Sequence, residues 1–348
     1  MLSNVMSLAS KEAIFRDRVK TGKITVEKFP DGESYHRLDE KVEDENIVII
    51  GGTITDEETM ELFDLGCAMS LGGAKTLTII IPYYGYSTME RGVKPGEIVK
   101  AKTRALLLSS IPQTTRNKIV FMDLHSEGIP YYLEGNTKQD HIYTKELIMK
   151  MCKDAGGDDF VLGSTDAGRA KWVESLANEM GVQCAIITKR RLSGSKTEIS
   201  NINADVKGKK VVIYDDMIRT GGSLIGAAEA YKAAGAEEVY AVATHGVLPS
   251  VAKSPKLLAK YSNDIVFKLF ESKAFNKIFV TNTHPTAINA EMPGYQEFFN
   301  VYDVSILILK NLFGLSGQKL NLQSKMFQSK IRPKIRTTFN YVKSGNRS

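Results

Sequence analysis

One pattern occurs twice in this chain and limits the folds open to it. Residues 60–85 and 224–246 each follow an apolar strand and contain, in order, a helical pattern, a small-residue stop, an apolar strand and a glycine turn. Strands that alternate with helices in this way form mostly parallel sheets. We therefore predict an α/β fold of two duplicated domains, each a sheet flanked by helices.

Composition places the chain among ordinary globular proteins, because 43% of its residues are hydrophobic and 25% are charged. No apolar stretch approaches the roughly 18 residues that a membrane span needs, and the first residues do not resemble a secretory signal. We expect a cytoplasmic protein without a membrane partner. The three cysteines are far apart and have neither metal-ligand spacing nor the even number typical of a disulfide framework.

The positive charge is concentrated at the end of the chain. The net charge is +6, and residues 321–348 contain seven basic residues and no acid. The rest of the chain is close to neutral, so we expect no nucleic-acid partner. We interpret the basic tail as a solvated, poorly ordered extension, and the alternative is an arm for an anionic partner.

Residues 211–223 contain an apolar strand, two acids and a small-residue loop before a helical pattern. The acids fall at the carboxyl end of the strand, where open α/β sheets bind ligands. The loop turns backbone N–H groups of the next helix toward an anion. The acids suit sugar hydroxyls, directly or through a magnesium ion, and the loop suits a phosphate. The alternative is a plain strand-to-helix turn. The residues assigned to this sugar-phosphate loop are Asp215, Asp216, Arg219, Thr220, Gly221, Gly222 and Ser223.

Other motifs accompany this loop in a fixed order. They are Phe29-Pro-Asp-Gly-Glu33, Ile81-Pro-Tyr-Tyr-Gly-Tyr86, Met122-Asp-Leu-His125, Thr165-Asp-Ala-Gly168, Lys189-Arg-Arg191 and Thr281-Asn-Thr283. Together with the sugar-phosphate loop they resemble the signatures of the ribose-phosphate pyrophosphokinases, a family with the type I phosphoribosyltransferase fold. The resemblance covers roughly residues 20–320.

The resemblance implies a domain order. We expect an N-terminal phosphoribosyltransferase-like domain at 1–150, which holds ATP and the oligomer contacts, and a C-terminal one at 151–285 with the sugar-phosphate loop. By analogy with the family, a strand and helix in residues 286–320 return to pack on the first domain. The basic tail at 321–348 completes the chain.

The resemblance also implies the reaction, in which the C1 hydroxyl of ribose 5-phosphate attacks the β-phosphorus of magnesium ATP. Lys189 and Arg191 would stabilise the transition state, and the polar residues 192–202 after them suggest a mobile lid. His125 would lie at the ATP phosphates and, with Asp166, at the Mg²⁺. Without the family resemblance, Lys189 and Arg191 would be interpreted as a solvated charge cluster and His125 as a structural histidine. A pyrophosphate loop would consist of Asp166, Ala167, Gly168 and Arg169.

The nucleotide site implied by the family is a hairpin whose ring stacks on adenine and whose acids accept from its amino group. Phe29, Asp31 and Glu33 match it, although Pro-Asp-Gly is also a plain turn. In the family this hairpin reaches a neighbouring subunit, so we expect a homo-oligomer, a dimer or a hexamer.

The chain departs from the family at four positions. Thr88 and Met89 replace an Arg-Gln pair, for which Arg91 or Lys94 is the candidate substitute, and Arg169 replaces a glycine. Arg219 replaces an acid and favours an acceptor with a second phosphate, ADP-ribose above all. The alternative is that Arg219 faces solvent.

Three functions therefore compete. The first is a pyrophosphokinase acting on ribose 5-phosphate or a larger derivative, the second is a phosphoribosyltransferase, and the third is a non-catalytic regulatory subunit. The retained site residues favour the first.

Overall fold

The computed structural model describes residues 1–12, 15, 18–193, 196–249, 265–291, 294–315 and 341–344. The strands are β1 (Val19–Thr21), β2 (Ile24–Lys28), β3 (Ser34–Leu38), β4 (Asn46–Ile50), β5 (Thr76–Ile81), β6 (Arg116–Met122), β7 (Lys138–Ile142), β8 (Val161–Ser164), β9 (Gln183–Ala185), β10 (Ile187–Ser193), β11 (Lys196–Ile202), β12 (Lys210–Met217), β13 (Glu238–His245), β14 (Lys277–Thr281), β15 (Phe299–Tyr302) and β16 (Tyr341–Ser344). The helices are α1 (Leu2–Lys11), α2 (Asp56–Leu71), α3 (Lys100–Ser109), α4 (Lys145–Gly156), α5 (Ala170–Met180), α6 (Gly222–Ala233), α7 (Ile265–Glu271) and α8 (Ser305–Leu312). Short 3₁₀ helices span Ile129–Tyr132, Ala167–Arg169 and Pro285–Glu291.

The chain forms two compact units. The first comprises Met1–Tyr143 and Val304–Ser348, and the second comprises Thr144–Asp303. The division precedes α4, which thus belongs wholly to the second unit, whereas the sequence pattern put the boundary near residue 150.

The first unit has a six-stranded sheet in the order β1-β16-β4-β5-β6-β7. Strands β4 to β7 run parallel, and β16 joins β1 to β4 with antiparallel pairing on both sides. Helix α2 packs Leu62, Leu65 and Met69 into the core, because these residues recur on one face of a helix. Strand β16 lies in the predicted basic tail, so residues 341–344 pair within a sheet, and the rest of that tail lies outside the described residues.

The second unit has a fully parallel six-stranded sheet in the order β15-β14-β13-β12-β8-β9. Tyr231 of α6 anchors its helix, because its hydroxyl donates to the carbonyls of Ser164 at 3.1 Å and Ala185 at 2.9 Å. Gly163 permits this contact, since a Cβ there would lie 2.9 Å from the tyrosine ring. The two mostly parallel sheets with flanking helices confirm the predicted fold class.

The C-terminal segment differs from the expectation. Strand β15 does not return to the first domain but pairs with β14, and Phe299 is buried in the core of the second unit. Helix α8 belongs to the first unit and contacts α1 and β7 there. Strand β15 stays in the second unit because Phe299 completes the hydrophobic core of that unit. The apolar face of α8 covers the core of the first unit.

The two sheets are accompanied by two antiparallel ribbons, β2–β3 in the first unit and β10–β11 in the second. The second ribbon places residues 196–202, which the sequence analysis assigned to a loop, in strand β11. Thr197, Ile199 and Ile202 are β-branched and favour strand geometry, a signal that the polar composition concealed. Among the residues that the structure describes, no helix is both long and apolar enough for a membrane span.

Candidate active site

The two acids of the sugar-phosphate loop occupy the carboxyl end of β12 in the middle of the second sheet. Strand β12 is apolar from Val211 to Tyr214 because both of its faces are covered, and polar residues begin where it leaves the core. Asp216 is buried, and Asp215 is partly buried. The backbone N–H of Asp216 donates to Asp215 Oδ1 at 2.9 Å, which fixes the two carboxyl groups side by side.

Arg169 contacts this acid pair. Its Nη2 lies 2.6 Å from Asp216 Oδ2, and the exposed side-chain fractions are 22% for the arginine and 6% for the aspartate. A charge-assisted contact so shielded from water is stronger than an exposed ion pair. The pyrophosphate loop and the sugar-phosphate loop are therefore joined through the residue that departs from the family glycine.

Proximity and burial change the acid–base chemistry of the pair. Burial, together with the charge and hydrogen bond of Asp216, raises the pKa of Asp215 to about 8. Arg169 acts in the opposite direction and favours the ionised form. Asp215 can thus carry a proton near neutral pH and donate it to a hydrogen bond, while Asp216 accepts.

The loop after the acids leads directly into α6. Gly221 precedes the helix with a φ of 69°, and a side chain there would meet Leu269 of α7 at 3.0 Å. No side chain caps this helix start, and its first turn has no acid. Thr220, Gly222 and Ser223 are exposed, so the first turn of α6, with its free N–H groups, is accessible to a phosphate.

Two cations flank the loop. Arg219 is exposed within it, and Lys268 of α7 donates from Nζ to the Thr220 carbonyl at 3.0 Å. The sequence analysis did not identify Lys268, because the lysine is 48 residues away from the loop and stands in no motif.

The pyrophosphate loop follows β8. Asp166 precedes the 3₁₀ helix Ala167–Arg169, and its Oδ1 accepts from the N–H of Gly168 at 2.9 Å. Ala167 and Gly168 are exposed, and α5 starts immediately after Arg169. A carboxylate has further lone pairs, so Asp166 retains capacity for another ligand.

The cationic ribbon lies against this turn. Strand β10 contains Lys189 and Arg191 and contacts the 3₁₀ helix Ala167–Arg169. Its partner β11 pairs Lys189 with Ile199 and Arg191 with Thr197. The backbone of the predicted catalytic cations is thus beside the pyrophosphate loop. Their side chains are outside the described part of the structure.

The first unit holds the predicted nucleotide residues. Phe29, Asp31 and Glu33 form the turn of the β2–β3 ribbon, where Asp31 Oδ1 accepts from the N–H of Glu33 at 3.0 Å. The ring of Phe29 is 46% exposed, which leaves a face available for stacking. His125 follows β6 and is partly buried, and the intervening Asp123 has a φ of 39° that bends the chain there.

The region of the missing Arg-Gln pair contains another cation. Arg91 lies on the surface next to Glu90, with 3.5 Å between Nε and Oε1. Arg104 of α3 forms an ion pair with Asp56 and lies over the Tyr86 ring, 5.1 Å from its centroid. Tyr86 also donates to Asp56 at 2.5 Å. Arg104 stands in no sequence motif, because it lies on α3, well beyond the motif that ends at Tyr86.

The described residues contain no group of three His, Cys, Asp or Glu side chains that would hold a metal ion by themselves. Mg²⁺ commonly binds to one or two protein carboxylates and to the phosphates of the substrate. A site with a single carboxylate, such as that of Asp166, therefore suits Mg²⁺ without a complete set of protein ligands.

Comparisons with known proteins identify the class first. Residues 5–111 match the N-terminal domain of ribose phosphate pyrophosphokinase, and residues 140–280 match the phosphoribosyl transferase domain. The chain is 33% identical over 282 residues to a ribose-phosphate pyrophosphokinase of Fusobacterium nucleatum, which covers 78% of this chain and 87% of that one. A ribose-phosphate pyrophosphokinase of Pyrococcus abyssi is 31% identical, with coverages of 76% and 86%.

A solved structure agrees with these relatives. The phosphoribosylpyrophosphate synthetase of Mycobacterium smegmatis superposes with a TM-score of 0.71 at 26% identity, covering 90% of this chain and 95% of that one. The chain belongs to the ribose-phosphate pyrophosphokinase family. This confirms the predicted family and enzyme class, and it disfavours the simple phosphoribosyltransferase.

Proposed function

We propose that the protein transfers the β,γ-diphosphate of magnesium ATP to the C1 hydroxyl of ribose 5-phosphate. The products are 5-phosphoribosyl 1-diphosphate and AMP. The observation that carries this proposal is the junction of β12 and α6, where an acid pair in contact with Arg169 and an uncapped helix start stand at the two ends of one short loop.

Each end of the sugar has a matching group in the second unit. The N–H groups of residues 220–223 hold the 5-phosphate, and Asp215 and Asp216 bind the ring hydroxyls. The 1-diphosphate then faces the N–H groups of the Asp166–Arg169 turn. The C1 oxygen forms a bond to the β-phosphorus, the bond from that phosphorus to the α–β bridging oxygen breaks so that this oxygen leaves with AMP, and the hydroxyl proton passes to water.

Positive charge is what this transfer requires of a protein. Lys189 and Arg191 provide it from the ribbon, and Asp166 and His125 are the residues that would hold Mg²⁺. When bound, that ion neutralises phosphate oxygens. Phe29 stacks on adenine, with Asp31 and Glu33 as acceptors and Arg91 or Arg104 near the phosphates. We further propose a homo-oligomer, a dimer or a hexamer, in the cytoplasm.

The product identifies the reaction. Incubation with ATP, Mg²⁺ and ribose 5-phosphate should yield AMP and a sugar that gains two phosphoryl groups in a mass spectrum. ADP with a singly phosphorylated product would contradict the proposal. No turnover of any sugar phosphate in the folded protein would favour a regulatory subunit.

A second acceptor has structural support. Arg219 and Lys268 flank the loop on which the 5-phosphate would lie, so an acceptor with two phosphates at C5, such as ADP-ribose, finds a cation for each. Measurement of kcat/KM for ribose 5-phosphate and ADP-ribose decides this. Arg219→Asp should reduce the value for ADP-ribose about tenfold to a hundredfold more than the value for ribose 5-phosphate.

A further inference from the structure

The ion pair of Arg169 and Asp216 has a place in the charge balance of the sugar site. Two carboxyl groups that are adjacent and shielded from water repel each other when both are ionised. A bound cation, a proton or a protein cation must offset that repulsion. Here a proton on Asp215 relieves the repulsion near neutral pH, and the Arg169 guanidinium, 2.6 Å from Oδ2, offsets the charge that remains on Asp216.

The same position suits a divalent ion in sites where acids bind sugars through a metal. Arg169 occupies the side of Asp216 that contains Oδ2. The described residues gather no third acidic, histidine or cysteine ligand around the pair. A carboxylate oxygen accepts more than one hydrogen bond, so Asp216 accepts from a sugar hydroxyl while it holds Arg169.

We propose that Arg169 is a positioning residue that replaces a metal ion at Asp216, so that the acid pair binds the ribose hydroxyls without a divalent cation. The inference rests on the proposed function, because it requires a sugar phosphate at this loop. Mg²⁺ then serves ATP alone.

Removal of the guanidinium should make sugar binding weak and metal-dependent. In Arg169→Met the carboxylate of Asp216 loses the charged contact at 2.6 Å, and we expect the Kd for ribose 5-phosphate in EDTA to rise about tenfold to a hundredfold, the range for a lost charged hydrogen bond. Saturating Mg²⁺ should restore much of that loss, since a divalent ion can then reach the carboxylate. Arg169→Lys keeps the charge and should stay within about tenfold of wild type.

Calorimetric titration of ribose 5-phosphate into the full-length protein without ATP tests this, once in EDTA and once in Mg²⁺. Lys210→Met is the matched control, because Lys210 forms an exposed ion pair with Glu238 at the opposite end of the same strand, at 3.3 Å. It should bind like wild type in both buffers. Circular dichroism verifies that each variant is folded.

Wild-type binding that is equal in both buffers, with Arg169→Met rescued by Mg²⁺, supports the proposal. A wild-type requirement for Mg²⁺, or an Arg169→Met variant that binds like wild type in EDTA, overturns it and leaves the proposed function intact. If Arg169→Met does not fold, a hundredfold loss in Arg169→Lys overturns it instead. If wild type binds no ribose 5-phosphate in either buffer, the proposed function and this inference both fail.

Discussion

Helices α2 and α6 follow corresponding strands of the two units, yet their first turns are opposite in character. Thr55 caps α2 with a capping box that includes Glu58, and Asp56 and Glu57 add negative charge. Gly221 precedes α6 without a side-chain cap, and the first turn of α6 has no acid. The positive end of α2 is therefore satisfied by its own chain, whereas α6 leaves its N–H groups to a ligand.

The strands before these helices differ in the same sense. Gly51 and Gly52 follow the last residue of β4, while Asp215 and Asp216 lie in the last three residues of β12. The duplicated fold thus supplies two similar frames, and a few residues at one strand end and one helix start convert only the second into a sugar-phosphate site. The ribbons are specialised too, because β2–β3 presents an aromatic ring and β10–β11 contains cations.

The largest expected effect comes from giving α6 the first turn of α2. Gly222 stands at the position that Asp56 occupies in α2, and a side chain there has room. Gly222→Asp should reduce kcat/KM for ribose 5-phosphate on the order of 10³-fold, because like charges placed together cost several kcal/mol. The thermal midpoint should be unchanged or higher. Wild-type kinetics in this variant would mean that the phosphate binds elsewhere.

The second effect concerns the cationic ribbon. Lys189→Ala and Arg191→Ala should each lower kcat on the order of 10²-fold with a much smaller change in KM, since a contact of the transition state is removed. Lys210→Ala removes a cation from the same unit and serves as the control. Steady-state kinetics with both substrates measure these changes. Wild-type turnover in the double variant would show that Lys189 and Arg191 are only surface charges.

The third effect tests the acid pair through stability. The folded-state pKa of Asp215 is raised from 3.8 to about 8, so between these values the unfolded state binds fewer protons at this group. The free energy of unfolding should therefore decrease as the pH rises through that window. Asp215→Asn cannot ionise and should be more stable than wild type near pH 8, on the order of 1–3 kcal/mol, and similar near pH 4. Denaturant titrations at both pH values measure it, and equal differences at the two would contradict the burial argument.

The smallest expected effect concerns the capped start of α2. Thr55→Ala removes the cap of α2 and should cost about 1 kcal/mol of stability, whereas the Kd for ribose 5-phosphate should not change. Thermal unfolding and calorimetry report the two quantities separately. A weaker Kd would show that the first unit contributes to phosphate binding.

The sequence predicted the fold class and the strand-to-loop junctions well, because strand periodicity and glycine positions are local signals. Strand β12 and the glycine before α6 are examples. It did not predict that β15 stays in the second sheet, since this depends on which core has room for Phe299. Nor did it predict the contact of Arg169 with Asp216 or that of Lys268 with Thr220, because residues 47 or 48 positions apart meet only after the chain has folded.

The most direct measurement follows the backbone amides of both helix starts by NMR as ribose 5-phosphate is added. We predict large shifts for Gly221, Gly222 and Ser223 and none for Asp56, Glu57 and Glu58, because only the first set has N–H groups available to a phosphate. Shifts at Asp56 to Glu58 would contradict this prediction. Saturable binding without shifts at residues 221–223 would contradict it as well.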